Sequence, residues 1–156
     1  CIRDSIVIIV VCSIITAGLQ IFFKSTKMGK AMRAVSEDKA AAQLMGINVN
    51  RTISMTFAIG SALAAIAGVL LCSYSPVLQP TTGAMPGIKA FDAAVFGGIG
   101  SIPGAFVGGI LIGIIEAMAQ AYISTSLANS IVFGVLIIVL LVKPAGLLGK
   151  YVPEKV

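Results

Sequence analysis

The side chains that could carry out chemistry are few, and their types exclude most kinds of catalysis. The chain contains no His, so Ser-His, Cys-His and His-metal arrangements cannot be assembled from it. The carboxylates are scattered and form no acid and base couple; they are Asp4, Glu37, Asp38, Asp92, Glu116 and Glu154. Cys1, Cys12 and Cys72 lack metal-binding CxxC spacing and are interpreted as structural. The sequence therefore predicts no enzyme, no metal site and no cofactor.

The secondary-structure elements that carry these side chains must lie mainly in a lipid bilayer. Of the 156 residues, 58% are hydrophobic and only 11% are charged, and the mean hydropathy is +1.04. So few charges cannot cover the surface of a water-soluble domain of this length. We predict an all-α, polytopic helical membrane protein with four or five transmembrane spans, a short cytoplasmic helix and a segment broken by Gly and Pro.

Residues 1–156 are expected to form a single transmembrane domain, as a fragment of a larger protein, because the chain opens with Cys1 close to an apolar run. It is expected to contact membrane lipid and no nucleic acid. Two uncharged runs, residues 5–23 and 52–74, predict plain spans, since 19 residues or more cross a bilayer core at about 1.5 Å per residue. The second run is rich in small residues that let helices approach closely.

A basic loop separates these two runs. Residues 24–51 hold six of the eleven basic residues, so the positive-inside bias predicts a cytoplasmic loop. Its first part has apolar residues at helical spacing, which are Met28, Ala31, Met32 and Val35. A second short helix is then expected, with Ser36 as N-cap and Gly46 at the C-cap. Glu37 and Asp38 would lie in its first turn, where the helix dipole favours anions.

A glycine-rich segment follows the second plain run. Residues 93–115 contain seven glycines and Pro103, so an ordinary spanning helix is not expected throughout. The residues assigned to packing or to the transport pathway are Gly97, Gly98, Gly100, Pro103, Gly104, Gly108 and Glu116. A phosphate-cradling loop is the competing interpretation, but no Lys-Ser/Thr pair follows the glycines. Glu116 is either a functional acid within the membrane or a residue near the interface.

The distribution of charge also constrains the number of crossings. Residues 79–92 contain two prolines and two glycines and are predicted to be an outside loop. Nine of the eleven basic residues lie in 24–51 or 143–156, so both segments should be cytoplasmic. Residues 93–142 must then cross once or three times. We favour a short, irregular crossing before Pro103, followed by helices near 105–121 and 127–142.

Three stretches together resemble the permease subunits of bacterial ABC importers for branched-chain amino acids. They are MGKAMRAVSEDKAAAQLMGINVNR, AVFGGIGSIPGAFVGG and LLVKPAGLLGK, in matching order along nearly the whole chain. Family permeases are about twice as long, so the resemblance implies a C-terminal half in the inner membrane. It further implies a second permease subunit, ABC ATP-binding subunits and an extracytoplasmic substrate-binding protein.

In that family a coupling helix in the cytoplasmic loop docks in a groove of the ATP-binding subunit. The resemblance implies that Ala40, Ala41, Ala42 and Gly46 occupy the family's EAA-xxx-G frame, with Ser36, Glu37 and Asp38 leading into it. Ala40 stands where the general motif has Glu. This difference weakens a docking salt bridge at that position, but it does not weaken the prediction of a helix.

Three alternatives remain open. An ion-coupled secondary transporter would need a charged residue at the midplane, which could only be Glu116, and it would usually contain inverted repeats, of which this sequence shows none. An ABC permease for another small solute, such as a sugar, is the second. A purely structural membrane subunit is the third, although it would not need the capped loop helix.

Overall fold

The described residues of this computed structural model, 2–149, form seven α-helices and no strand. The helices are α1 (Ile2–Ser25), α2 (Lys27–Glu37), α3 (Lys39–Leu44), α4 (Val49–Tyr74), α5 (Ala84–Gly97), α6 (Ile102–Tyr122) and α7 (Thr125–Val142). Four of them, α1, α4, α6 and α7, are long and apolar enough to cross a membrane. The prediction of an all-α polytopic membrane protein is confirmed. Cys1, Lys150, Glu154 and Lys155 lie outside the described residues.

The chain divides into two units, and the first ends at Gln79. In this unit α1 and α4 pack together, and α2 contacts α1, α3 and α4. A single non-helical residue, Thr26, separates α1 from α2. Gly29 allows the start of α2 to pack closely against the end of α1, because a Cβ there would lie 2.6 Å from the backbone of Phe23. The spanning windows of α1 and α4 contain no buried residues, so they present apolar surface suited to lipid or to other helices.

The loop between α1 and α4 packs as two helices against the start of α4. Val35, Ala42 and Val49 form a buried cluster, with Ile47 and Ile53 against it. Met32 and Val35 are buried while Lys27, Lys30 and Arg33 are exposed, as the helical spacing of the apolar residues predicted. The loop is thus folded, has a small hydrophobic core of its own, and packs on the start of α4.

The second unit begins at Pro80 and consists of α5, α6 and α7 packed together. Its core is formed by Phe96, Ile112, Val132 and Leu136. α6 and α7 match the helices predicted near 105–121 and 127–142. The prediction of an outside loop over 79–92 is wrong, because α5 begins at Ala84 and continues to Gly97. Pro86 lies in the first turn of α5, where a missing N–H leaves no hydrogen bond unmade.

Candidate functional site: the short loop helices and the glycine junction

The α3 helix has only six residues, and hydrogen bonds at both of its ends stabilise it. Asp38 is its N-cap, and Oδ1 accepts hydrogen bonds from the backbone N–H groups of Ala40, at 2.8 Å, and Ala41, at 3.2 Å. The expectation that Ser36 is the N-cap is wrong. Ser36 lies inside α2, where its hydroxyl donates to the Arg33 carbonyl at 2.7 Å. The expectation that Glu37 and Asp38 lie in the first turn of this helix is also wrong, because α2 continues through Glu37 and Asp38 is the N-cap.

The other end of α3 closes in a Schellman motif. The Ile47 N–H donates to the Ala42 carbonyl at 3.1 Å, and the Gly46 N–H donates to the Gln43 carbonyl at 3.0 Å. Gly46 has φ +82°, a left-handed conformation that L side chains rarely adopt, as expected for a glycine that ends a helix. Ile47 also packs on the cluster containing Ala42, which is the hydrophobic contact that accompanies this motif.

Part of the exposed surface of α3 and of its C-cap is apolar, beside the exposed polar residues Lys39 and Gln43. Ala42 is buried, whereas Ala40 and Ala41 are exposed. Leu44 is 90% exposed and Met45 is 83% exposed, and they lie four residues beyond Ala40 and Ala41 on one side of the helical turn. Sequence reasoning missed this pair; the i, i+4 spacing from the exposed alanines was the available signal. We call Ala40, Ala41, Leu44 and Met45 the α3 surface.

The second candidate region lies where α5 ends and α6 begins. A Cβ on Gly97 would overlap the Gly104 carbonyl, and one on Gly108 would lie 2.5 Å from the Ala93 carbonyl. The predicted close packing of Gly104 and Gly108 therefore occurs, with α5 as the partner. Ser101 caps α6 by accepting from the Gly104 N–H at 3.2 Å, and Pro103 lies in the first turn.

The segment after α7 returns to this same place. The N–H groups of Leu147 and Leu148 donate to the carbonyls of Phe96, at 2.9 Å, and Gly97, at 3.0 Å. These bonds satisfy carbonyls that the end of α5 would otherwise leave unpaired. A Cβ on Gly146 would lie 2.5 Å from the Gly98 Cα, so no side chain fits between the two segments. We call Gly97, Gly98, Gly104, Gly108 and Gly146 the glycine junction.

Gly100 does not join these contacts. It is exposed, and a Cβ there would meet nothing within 4 Å, although its φ of +92° suits glycine. Its predicted role in packing or the pathway stays a prediction. The junction brings together two of the three stretches that carried the family resemblance, residues 94–109 and 140–150, which are separated by 30 residues of sequence. It holds the ends of α5, α6 and α7 at one end of this unit.

Glu116 has a charged partner that sequence reasoning did not assign. Lys89 Nζ donates to Glu116 Oε1 at 2.5 Å, and Gln120 Nε2 donates to the same oxygen at 3.0 Å. Lys89 belongs to residues 79–92, for which the sequence predicted an outside loop. On the helical α5 it instead reaches across to α6. Among the described residues, no group of three His, Cys, Asp or Glu side chains could hold a metal ion.

These features are those of a helical membrane protein: apolar spans, a short capped helix with exposed apolar side chains, and a close-packed glycine junction. The family described as "Branched-chain amino acid transport system / permease component" matches residues 2–141. The chain belongs to this family.

Related proteins of this family are similar over most of the chain. It is 52% identical over 139 residues to the high-affinity branched-chain amino acid transport system permease protein LivH of Escherichia coli K12, covering 89% of this chain and 45% of LivH. It is 47% identical over 151 residues to BraD of Pseudomonas aeruginosa, covering 97% of this chain and 49% of BraD.

A more distant relative is the probable permease LivH of Methanocaldococcus jannaschii, 35% identical over 139 residues and covering 85% of this chain and 44% of that protein. The chain thus spans about half the length of the curated relatives that it matches. No solved structure matches.

Proposed function

We propose that this chain is the C-terminal half of an inner-membrane permease that moves branched-chain amino acids into the cell, driven by ATP hydrolysis in a partner subunit. The names of the related proteins LivH and BraD support the substrate class. The observation that carries the coupling role is the α3 surface, where two large apolar side chains are almost fully exposed on a basic, cytoplasmic loop.

An exposed apolar pair in this position suits docking into a groove of an ATP-binding subunit. Leu44 and Met45 lie outside the long apolar helices, so lipid is not the partner expected to cover them. Burying each side chain in a groove contributes about 1.5–3 kcal/mol. Asp38 and Gly46 fix the ends of α3, and Val35 and Val49 fix its base on α4. When the docked ATP-binding subunit displaces α3, α4 therefore moves with it as a rigid body.

The same proposal assigns roles to the remaining predicted residues and partners. The coupling residues are Ser36, Glu37, Asp38, Ala40, Ala41, Ala42 and Gly46, to which the structure adds Leu44 and Met45. A second permease subunit and an extracytoplasmic substrate-binding protein complete the importer. The glycine junction holds α5 and α6 close together beside the pathway.

Reconstitution of the full-length permease with its ATP-binding subunits and binding protein tests this function. We expect ATP-dependent uptake of radiolabelled leucine into proteoliposomes. The double variant Leu44→Ser/Met45→Ser should weaken binding of the ATP-binding subunit by about 100-fold or more, since two anchoring side chains are lost.

Gln43→Ser is the matched control, because Gln43 is exposed and polar on the same helix. It should leave subunit binding unchanged. Normal subunit binding by the double variant would contradict the docking role of α3. An intact wild-type complex that takes up no branched-chain amino acid would contradict the substrate class.

A further inference from the structure

The contact between Lys89 and Glu116 lies within the membrane-crossing part of the second unit. Glu116 is six residues from the end of α6 at Tyr122, or roughly 9 Å along the helix axis. The side chains of Lys89 and Glu116 keep 26% and 20% of their exposure, so the pair is reachable from one side. Charged groups at this depth are costly unless they are paired, and they mark functional positions.

Packing of α5 on α6 does not require this pair. The close contacts of Gly97 with Gly104 and of Gly108 with Ala93 already hold the two helices together along the same antiparallel interface. Phe96 and Ile112 add a buried apolar contact between them. The two ionisable side chains at this position are therefore not needed to pack α5 against α6.

A third ionisable group lies one helical turn along α5 from Lys89, and one of its carboxylate oxygens lacks a hydrogen-bond partner. Asp92 is one turn beyond Lys89 on α5, about 5–6 Å away between Cβ atoms. It is 3% exposed, on the side of α5 where Ala93 and Phe96 meet α6. Its Oδ2 atom has no hydrogen-bond partner among the described residues. The group of three therefore holds one cation, two carboxylates and a buried acceptor that still needs a donor.

We propose that Lys89, Asp92 and Glu116 form a binding site for the zwitterionic head of an α-amino acid as it passes through the permease. The substrate carboxylate accepts hydrogen bonds from Lys89, and the substrate ammonium donates to Glu116 and Asp92. The ammonium supplies the second positive charge and the missing donor, while the ion pair stays closed when no substrate is present. This inference rests on the proposed amino acid transport and names the site that recognises the substrate head.

The test uses the complete importer in proteoliposomes, with leucine uptake and ATP hydrolysis stimulated by the loaded binding protein as separate readouts. The variants are Lys89→Met, Glu116→Gln and the exchange variant Lys89→Glu/Glu116→Lys. We expect each to lower uptake by about 10- to 100-fold, the worth of one or two charge-assisted hydrogen bonds, while stimulated ATP hydrolysis persists. Thermal unfolding of each purified complex identifies variants that fail to fold.

The exchange variant separates recognition from structural pairing. It keeps a Lys-Glu contact between α5 and α6 but presents its charges to the substrate in reverse. Wild-type uptake by this variant would show that the pair only joins the helices, and would overturn the inference. Normal wild-type leucine uptake together with unaffected single variants would refute this site alone. A wild-type importer that accepts a sugar and no amino acid would refute the site and the proposed function together.

Discussion

Replacing Gly46 by Val tests whether the shape of α3 couples ATP hydrolysis to transport. A Cβ at this position would meet nothing within 4 Å, so the variant creates no steric overlap. The whole cost comes from φ +82°, which an L residue adopts at a cost of about 1–2 kcal/mol and a β-branched residue adopts only as a clear outlier. A penalty of this size changes a local equilibrium by roughly 5- to 30-fold.

Relief of that strain would open the Schellman motif. The backbone bonds from Gly46 to Gln43 and from Ile47 to Ala42 would be lost, and a six-residue helix has little else to hold it. We therefore expect normal membrane insertion and a 5- to 30-fold lower ratio of leucine uptake to ATP hydrolysis, on the order of the strain energy. The ratio is measured in proteoliposomes containing the complete importer.

Gly46→Asn is the matched control, because Asn tolerates the left-handed conformation better than other L residues. It should keep most of the coupling that the Val variant loses. A wild-type ratio in the Val variant would refute the coupling role of α3. Equal losses in the Asn and Val variants would refute backbone strain as the cause.

Three further substitutions, two of them with a matched control variant, test the packing and capping contacts. Gly97→Ala places a methyl group on the Gly104 carbonyl and should lower the Tm of the purified permease, while Gly113→Ala, which meets nothing within 4 Å, should leave the Tm nearly unchanged. Asp38→Ala removes the N-cap of α3 and should cost about 0.5–2 kcal/mol of local stability, seen as faster amide exchange in α3, whereas Asp38→Asn should retain the cap. Val132→Ala leaves a cavity in the core, and we expect a loss of about 2–3 kcal/mol in the free energy of unfolding in detergent; an unchanged value would contradict the packing of α7 against the core.

The ends of α3 illustrate what local sequence can and cannot predict. The role of Gly46 was predictable, because a glycine after a run of helix-forming residues commonly ends the helix. The N-cap was not, because Ser36, Glu37 and Asp38 are consecutive polar residues and the choice depends on where α2 ends. That point is set by the burial of Val35 against the start of α4, which is a tertiary contact.

The glycine junction shows a similar division. The spacing of Gly104 and Gly108 indicated a close-packed helix face, and the structure contains one. The partner could not be derived, because it required α5 to be a helix. The hydrogen bonds from Leu147 and Leu148 to the end of α5 join segments about fifty residues apart, and no local pattern encodes such pairing.

The α5 helix bears on the number of crossings that the basic residues predict. If residues 24–51 and 143–156 are both cytoplasmic, residues 93–142 cross once or three times. Three helices, α5, α6 and α7, run through the second unit, and the ends of α5 and α7 meet where α6 starts. At 14 residues, α5 is only about 21 Å long, too short to cross roughly 30 Å of hydrocarbon by itself. It is therefore too short to be recognised as a span by hydropathy, and a third crossing that uses α5 stays a prediction. Its residue Lys89 contacts Glu116 on α6, and Asp92 is buried. The same short length explains why the partner of Glu116 was not predicted, because Lys89 lies in a segment without the hydropathy of a span.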